Sequence, residues 1–482
     1  MYLCSVETSP ILASPHTSAW KRWGVVALLI LALAGGYMLL YALSPLQTAL
    51  ESKGWSLMAY SRYSSAESFL NVFCCVLLCA GMLIDRLGVR RCGLLSGMLM
   101  LAGGAVNYYA LTDAFAVSGF AHWIGEWLNL PDRAWNITPF CAGMPASAKL
   151  SAFGFMLFGI GIEMAGVAAS RATVLWFKGK ELAVAMGVQL AGSRVVVALA
   201  LWASPRIADW GAYSVARPVG WCVLVLLMGL ICWVAYGFLQ PCVRNSRPSS
   251  KDSQHSALSS HHSFSSPLLD LCRNTEKNRV LWLLAAICVC YYASLIPFYR
   301  YAVAMLQAAL GTSADSAATV LASLPLVAAL CTPPVCMIPD FRGEALWLMV
   351  LGSACMAACY AMFAYLLPAL PYLWVAYVGI FLLGVASAVM SAGLWPLLPR
   401  LAPERSLGSA YALFYWLQGW GLFLTPLGVA WVMGDSTEYG PAMLLFALFD
   451  IAALLMVFRL MHLNRRQTLG LNLPNRRKSA PA

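Results

Sequence analysis

The sequence predicts an all-helical integral membrane protein in which twelve transmembrane helices form two pseudo-symmetric halves of six. Three observations carry this prediction. Of the 482 residues, 61% are hydrophobic and only 11% are charged, whereas soluble domains average about 45–50% apolar and about 25% charged residues. The apolar residues fall into long runs, each close to the roughly 20 residues that a helix needs to cross a bilayer. Features of the first half also recur in the second half.

The spans follow from the apolar runs and from the charged or Pro-containing breaks between them. In chain order they are predicted at 24–43, 66–84, 92–111, 150–172, 182–203, 218–240, 280–309, 316–338, 345–366, 373–395, 408–432 and 441–461. The bilayer is therefore the first partner that the sequence implies.

A short charged turn between the second and third spans organises the rest of the chain. Residues 81–91 read Gly-Met-Leu-Ile-Asp-Arg-Leu-Gly-Val-Arg-Arg. Such charges cannot rest in hydrocarbon, so the turn must lie at a membrane face, and its glycines permit a tight reversal between two helix ends. The residues concerned are Gly81, Asp85, Arg86, Gly88, Arg90 and Arg91.

Charge also predicts the orientation. Most of the 31 Lys and Arg residues lie on one side when the termini and the even-numbered loops are placed in the cytoplasm. This positive-inside bias predicts that both termini are cytoplasmic. The predicted organisation is a tail 1–23, a first half 24–240 with a long non-cytoplasmic loop 113–149, a Ser- and His-rich flexible linker 241–279, a second half 280–462 and a basic tail 463–482.

The two halves repeat each other. The segment Pro-Asp-Phe-Arg-Gly at 339–343 is a degenerate copy of Ile-Asp-Arg-Leu-Gly at 84–88. The halves differ in length mainly because the loop 113–149 corresponds to the short connection 367–372 in the second half. Paired halves with a site between them are typical of transporters.

Several function classes are excluded by the same patterns. The basic residues are dispersed between apolar runs, which argues against nucleic-acid binding. Most of the 16 cysteines lie inside apolar runs, where they behave as small apolar residues rather than as a disulfide or metal framework. No metal spacing, cofactor motif or nucleophile–base set is visible, so we expect no metal, no cofactor and no enzymatic role.

Two charges lie deep inside predicted spans. Glu163 belongs to the fourth span and Arg194 to the fifth. Both are about 15 residues from the turn that joins these spans, or about 20 Å along an antiparallel pair at 1.5 Å per residue. They should therefore lie level with each other near the middle of the membrane. Two interpretations remain: a buried Glu–Arg pair that locks two helices, or a dipolar site in which Glu163 takes a cation and Arg194 a carboxylate.

Other polar residues of the spans are weaker candidates. Arg300, near the outer end of the seventh span, is expected to snorkel to the interface, and Glu67 is expected to be wet. Asp450 is a candidate for a proton or for a helix contact. Five aromatic residues could line a cavity, although ordinary packing explains each one alone better: Tyr37, Tyr41, Tyr291, Tyr292 and Trp395.

The turn at 81–91 resembles the signature loop of the major facilitator superfamily, G-x-L-x-D-R-x-G-x-R-R, at every fixed position. Four further stretches resemble the lysosomal dipeptide transporters of that superfamily. They are WFKGKELA at 176–183 with Ser193 and Arg194, ICVCYY at 287–292 with Pro297 and Phe298, LWP at 394–396 with LGSAY at 407–411, and Tyr60 and Tyr63 with Asn71 and Val72. The resemblance extends from about 35 to about 435.

This resemblance implies the major facilitator fold and alternating access. It implies proton-independent uniport of dipeptides, with Glu163 at the peptide amino group and Arg194 at its carboxylate, and places Lys178, Lys180 and Glu181 with the signature loop in gating. It also implies an accessory luminal glycoprotein, and a lysosomal membrane in a eukaryote or a plasma membrane in a bacterium. The alternatives are an organic-anion or phosphorylated-metabolite exchanger that uses Arg194 alone, a proton-coupled carrier, and a non-transporting sensor.

Overall fold

The computed structural model describes residues 19–127, 129–131, 136–177, 182–239, 276–401, 407–434, 436, 438–467 and 470–473. Within these ranges the regular secondary structure is helical throughout. Its twelve long helices are α1 Ala19–Tyr41, α2 Leu57–Phe73, α3 Val76–Leu111, α4 Ala146–Phe177, α5 Leu182–Asp209, α6 Ala216–Leu239, α7 Glu276–Leu310, α8 Ala314–Phe341, α9 Ala345–Ala361, α10 Leu373–Leu394, α11 Leu407–Met433 and α12 Gly440–Gln467.

Ten helical segments in the described part of the chain are long and apolar enough to cross a membrane, so the protein is a multi-pass membrane protein. The other two long helices are α2 and α11, which pack against each other. The predicted start of the second span at 66 is wrong, because α2 begins at Leu57. Its first turns carry polar Tyr, Ser and Arg side chains, which lower the hydropathy of this stretch to that of a loop. In the structure these side chains are buried against other helices.

The predicted turn between the second and third spans is confirmed by the backbone. Helix α3 is interrupted at Gly88, where φ is 80° and ψ is 161°, so the segment before Gly88 continues the second span and the segment after it forms the third. Gly343, at the equivalent place in the second half, also has a positive φ of 84°. Only glycine adopts such a backbone readily, and the repeat therefore holds at the level of backbone geometry.

The halves meet along two pairs of helices. Within the first half α1 packs on α5 and α6, and α4 packs on α2 and α3; within the second half α9 packs on α10 and α12, and α7 packs on α11 and α12. Between the halves α5 packs on α8 and α2 packs on α11. The pseudo-symmetry exchanges these two contacts, since α2 corresponds to α8 and α5 to α11. The space between the halves is consequently bounded by equivalent helices on both sides.

The long loop 113–149 is folded where the structure describes it. The exposed ring of Trp123, in the short helix Gly119–Glu126, stacks on the ring of Trp127, which directly follows this helix. Asn136, which begins an Asn-Ile-Thr sequence typical of N-glycosylation, is only 5% exposed. Its amide donates to the carbonyl oxygens of Pro131 at 3.1 Å and Phe140 at 2.9 Å. In the folded chain this amide therefore holds the loop together.

Candidate functional site

Arg194 lies on α5, and its guanidinium crosses from the first half to the second. One terminal nitrogen donates to the carbonyl oxygen of Ala328 at 2.9 Å and to the hydroxyl of Thr332, both on α8. The other donates to the hydroxyl of Ser391 on α10 at 3.2 Å. Arg194 therefore donates its hydrogen bonds to neutral oxygens of the opposite half and not to Glu163.

Glu163 lies on α4 and is half-buried. Among the described residues its carboxylate has neither an ion-pair partner nor a hydrogen-bond donor. Tyr37 of α1 and Tyr415 of α11 lie near enough to interact with its charge. The interpretation as a buried Glu163–Arg194 ion pair is wrong for this structure, because the two side chains do not contact each other. Arg194 donates to oxygens of α8 and α10.

Glycine allows α2 and α4 to approach each other closely beside Glu163. A β-carbon on Gly159, one turn before Glu163, would lie 2.0 Å from the carbonyl oxygen of Glu67. Asn71 of α2 donates to the carbonyl oxygen of Gly159 at 3.1 Å. The backbone that carries Glu163 is thus held firmly against α2.

The five aromatic candidates separate into three groups. Tyr37 lies at Glu163, and the hydroxyl of Tyr291 bonds with that of Ser391 at 2.8 Å, beside Arg194. Tyr292 accepts a hydrogen bond from the indole of Trp395 at 3.1 Å. The indole also lies against two tyrosines of α11 that sequence reasoning missed, Tyr411 and Tyr415.

Tyr41, by contrast, contacts Tyr299 edge-on and lies near a second pair of charges. The guanidinium of Arg300 on α7 forms an ion pair with Glu67 on α2 and donates to the carbonyl oxygen of Ser64. The expectations of a snorkelling Arg300 and a wet Glu67 are wrong, since these residues are only 3% and 5% exposed. Each satisfies the other's charge, so neither needs water.

This ion pair belongs to a set of contacts that joins the halves toward one end of the bundle, here called the distal end: the end at which α1 ends and α2 begins. The hydroxyl of Tyr60 donates to the carbonyl oxygen of Arg300 at 3.1 Å, and Ser61 bonds with Tyr301 at 2.8 Å. Arg206 of α5 pairs with Asp315 of α8 at 2.9 Å. The distal end is therefore closed.

Asp450 of α12 is completely buried, and neither carboxylate oxygen makes a hydrogen bond within the described residues. Its polar neighbours are Ser294 of α7 and Tyr360 of α9, so it lies inside the second half and not at the space between the halves. Its role, as a proton carrier or as a helix contact, stays a prediction.

The charged loops are described only in part. The structure describes only the backbone at Gly81, Asp85 and Arg86. It does not describe Lys178, Lys180 and Glu181. Arg90 is exposed and lies over the ring of Phe238, 5.8 Å from its centroid. Arg91 is exposed as well. The gating role of these residues stays a prediction.

Comparison with known proteins adds an independent observation. No protein-family model matches the chain. The lysosomal dipeptide transporter MFSD1 of Homo sapiens is 27% identical over 343 residues, covering 68% of this chain and 69% of that protein. The MFSD1 of Danio rerio is 26% identical over 312 residues, covering 63% of each chain.

Solved structures share the fold at low identity. A D-xylose–proton symporter superposes with a TM-score of 0.62 and 15% identity, covering 92% of this chain and 98% of its own. A bacterial homologue of the human lysosomal transporter Spinster, inward-facing and occupied, superposes with a TM-score of 0.62 and 14% identity, covering 93% and 98%. These relatives and neighbours are transporters and not enzymes. The chain therefore has the fold of the major facilitator superfamily transporters and is similar in sequence to the lysosomal dipeptide transporters.

Proposed function

We propose that the protein is a dipeptide uniporter in which Glu163 binds the peptide amino group and Arg194 its carboxylate. A dipeptide zwitterion carries opposite charges at its two ends. The two side chains supply the complementary charges from neighbouring helices, and the fork of Arg194 suits a carboxylate because it can donate two parallel hydrogen bonds.

One observation carries the proposal: among the residues that the structure describes, Glu163 has no ion-pair or hydrogen-bond partner. An unpaired charge near the middle of a membrane costs at least about 2.5–3.5 kcal/mol on insertion scales, and such residues typically mark substrate or ion pathways. Glu163 is half-buried and not sealed in, and its neighbours Tyr37 and Tyr415 come from the two different halves. A substrate ammonium there would meet an unsatisfied carboxylate at the interface of the halves.

The arrangement of the contacts between the halves supports alternating access. The distal end is closed by contacts between the halves, and rocking one half against the other would break those contacts while the site stays between them. The positive-inside bias supports cytoplasmic termini, which makes the distal end luminal or extracellular. The similarity to MFSD1 supports a lysosomal membrane.

The test is uptake of labelled His-Ala into proteoliposomes, with and without an imposed pH gradient. Wild type should accumulate label at a rate indifferent to the gradient, and Glu163→Gln should lose uptake. Glu126→Gln, which alters an exposed carboxylate of the helix Gly119–Glu126, is the matched control and should transport like wild type. Gradient-driven uptake would replace uniport by proton symport.

A second candidate, an organic-anion or phosphorylated-metabolite exchanger, is favoured by one feature: Arg194 is bound without any help from Glu163. An anion carrier should tolerate Glu163→Gln and lose activity in Arg194→Met. A dipeptide carrier should lose activity in both. Ligand-induced thermal stabilisation without any uptake would identify a non-transporting sensor.

A further inference from the structure

The two hydroxyl groups that bind Arg194 donate their protons elsewhere and can only accept from the guanidinium. The hydroxyl of Thr332 gives its proton to the carbonyl oxygen of Ala328 at 2.5 Å. The hydroxyl of Ser391 gives its proton to the carbonyl oxygen of Ser387 at 2.6 Å. Each hydroxyl has a single proton, so both turn lone pairs toward the guanidinium.

Tyr291 further fixes the position of the Ser391 hydroxyl. The hydroxyl of Tyr291 lies 3.0 Å from the carbonyl oxygen of Ser387 and 2.8 Å from the hydroxyl of Ser391. Tyr291 and Ser391 are both buried. The pair of hydroxyl oxygens therefore offers Arg194 two fixed acceptors, as the two oxygens of a carboxylate would.

We propose that Thr332 and Ser391 are an internal competitor for the substrate carboxylate. In the empty carrier they occupy the guanidinium of Arg194 and latch α5 of the first half to α8 and α10 of the second half. A bound carboxylate takes their place and releases the latch. This inference rests on the proposed role of Arg194 and adds to it two positioning residues that set affinity and coupling.

The relative strengths of the bonds give the direction of the competition. A carboxylate brings a full negative charge to the guanidinium, whereas each hydroxyl brings only a dipole, and Arg–carboxylate pairs are frequently bidentate. A carboxylate therefore displaces two hydroxyls from Arg194. Loss of the latch removes contacts between the halves at the level of the site. The loaded carrier should consequently reorient faster than the empty one, and exchange of labelled for unlabelled dipeptide should be faster than net efflux.

The experiment compares exchange with net efflux of Gly-Gly from proteoliposomes for wild type and Thr332→Val/Ser391→Ala. In wild type the ratio of exchange to net efflux should exceed one. In the double variant it should fall several-fold toward one, and KM for Gly-Gly should fall with it. KM for Gly-Gly amide, which lacks the carboxylate, should not change. An unchanged ratio, or equal changes in KM for both peptides, would overturn the proposal.

Two control variants separate the latch from a general packing defect. Thr332→Ser keeps the hydroxyl and should behave like wild type. Thr425→Val removes a buried hydroxyl on α11 that donates to the carbonyl oxygen of Gly421 at 2.7 Å, and it should leave the ratio unchanged. A fall in the ratio for Thr425→Val equal to that of the double variant would count against the latch.

A substrate-free measurement keeps failure of the latch distinct from failure of the proposed function. Thr332→Val/Ser391→Ala should lower the thermal unfolding midpoint of the purified protein in the wild-type background. In an Arg194→Met background the same two substitutions should lower it by much less. Additive losses would overturn the latch even if dipeptides are transported, whereas a non-additive result in a protein that transports no dipeptide would reject only the proposed substrate.

Discussion

Among the arginines that cross from one half of the molecule to the other, Arg194 and Arg300 do so in opposite ways. Arg300 meets a carboxylate, that of Glu67, and both side chains are almost fully buried. Arg194 meets only hydroxyl and carbonyl oxygens and is half-buried. A substrate carboxylate can displace neutral acceptors but gains nothing by displacing an equal charge. The comparison therefore supports the proposal that Arg194 belongs to the substrate site, whereas Arg300 joins the halves by an ion pair.

The largest effect should come from Arg300→Met, because it leaves Glu67 buried without a partner. Removing one member of a buried ion pair typically costs about 3–5 kcal/mol. The thermal unfolding midpoint should fall sharply, and Glu67→Gln/Arg300→Met should recover most of the loss. Arg459→Met, which removes an exposed arginine of α12, is the control. Equal losses in the single and double variants would break the distinction between the two arginines.

Arg194→Met should cost less stability and more function. Its hydrogen bonds to neutral oxygens predict a loss of about 1.5–3 kcal/mol, the range for hydrogen bonds that involve a charged group. Dipeptide uptake should be abolished, and Arg194→Lys should restore the charge but little uptake because Lys cannot donate in a fork. Proteoliposome uptake beside unfolding midpoints checks both parts; substantial uptake by Arg194→Met would remove this residue from the site.

The loss of stability on removing a neutral hydrogen bond within the second half is the reference for the losses expected at Arg300 and Arg194. Tyr292→Phe removes the acceptor of the indole of Trp395 and should cost about 0.5–1.5 kcal/mol. Tyr377→Phe, at an exposed position on α10, should leave the unfolding midpoint unchanged. A loss as large as that of Arg300→Met would mean that this aromatic cluster, and not the ion pair, dominates the stability of the second half.

Glu163→Gln should have the smallest effect on stability, because no described residue pairs with Glu163. The unfolding free energy should stay within about 0.5 kcal/mol of wild type, as for substitutions that touch no specific interaction. Uptake of zwitterionic dipeptides should nevertheless be lost. Unfolding midpoints and uptake measured on the same preparations check this; a large destabilisation would show that the carboxylate has a structural partner.

The sequence by itself determined the class of protein, most of the membrane-spanning helices, and the turn at Gly88 with its repeat at Gly343. All of these depend on hydrophobicity, charge and helical spacing, which are properties of short stretches of chain. The same logic placed the start of α2 too late, because a helix that packs its polar side chains against other helices does not look like a span.

Only the tertiary structure decided which charges meet. Arg300 and Glu67 are separated by 233 positions, and Arg194 and Thr332 by 138. Nothing in the local pattern around Arg300 distinguishes a side chain that snorkels to the interface from one that reaches a carboxylate on the other half. Such partners follow from how two six-helix halves dock, and docking brings together residues that have no relation along the chain. The candidate residues Glu163 and Arg194 could therefore be chosen from the sequence, whereas the contacts that they and Arg300 make could not.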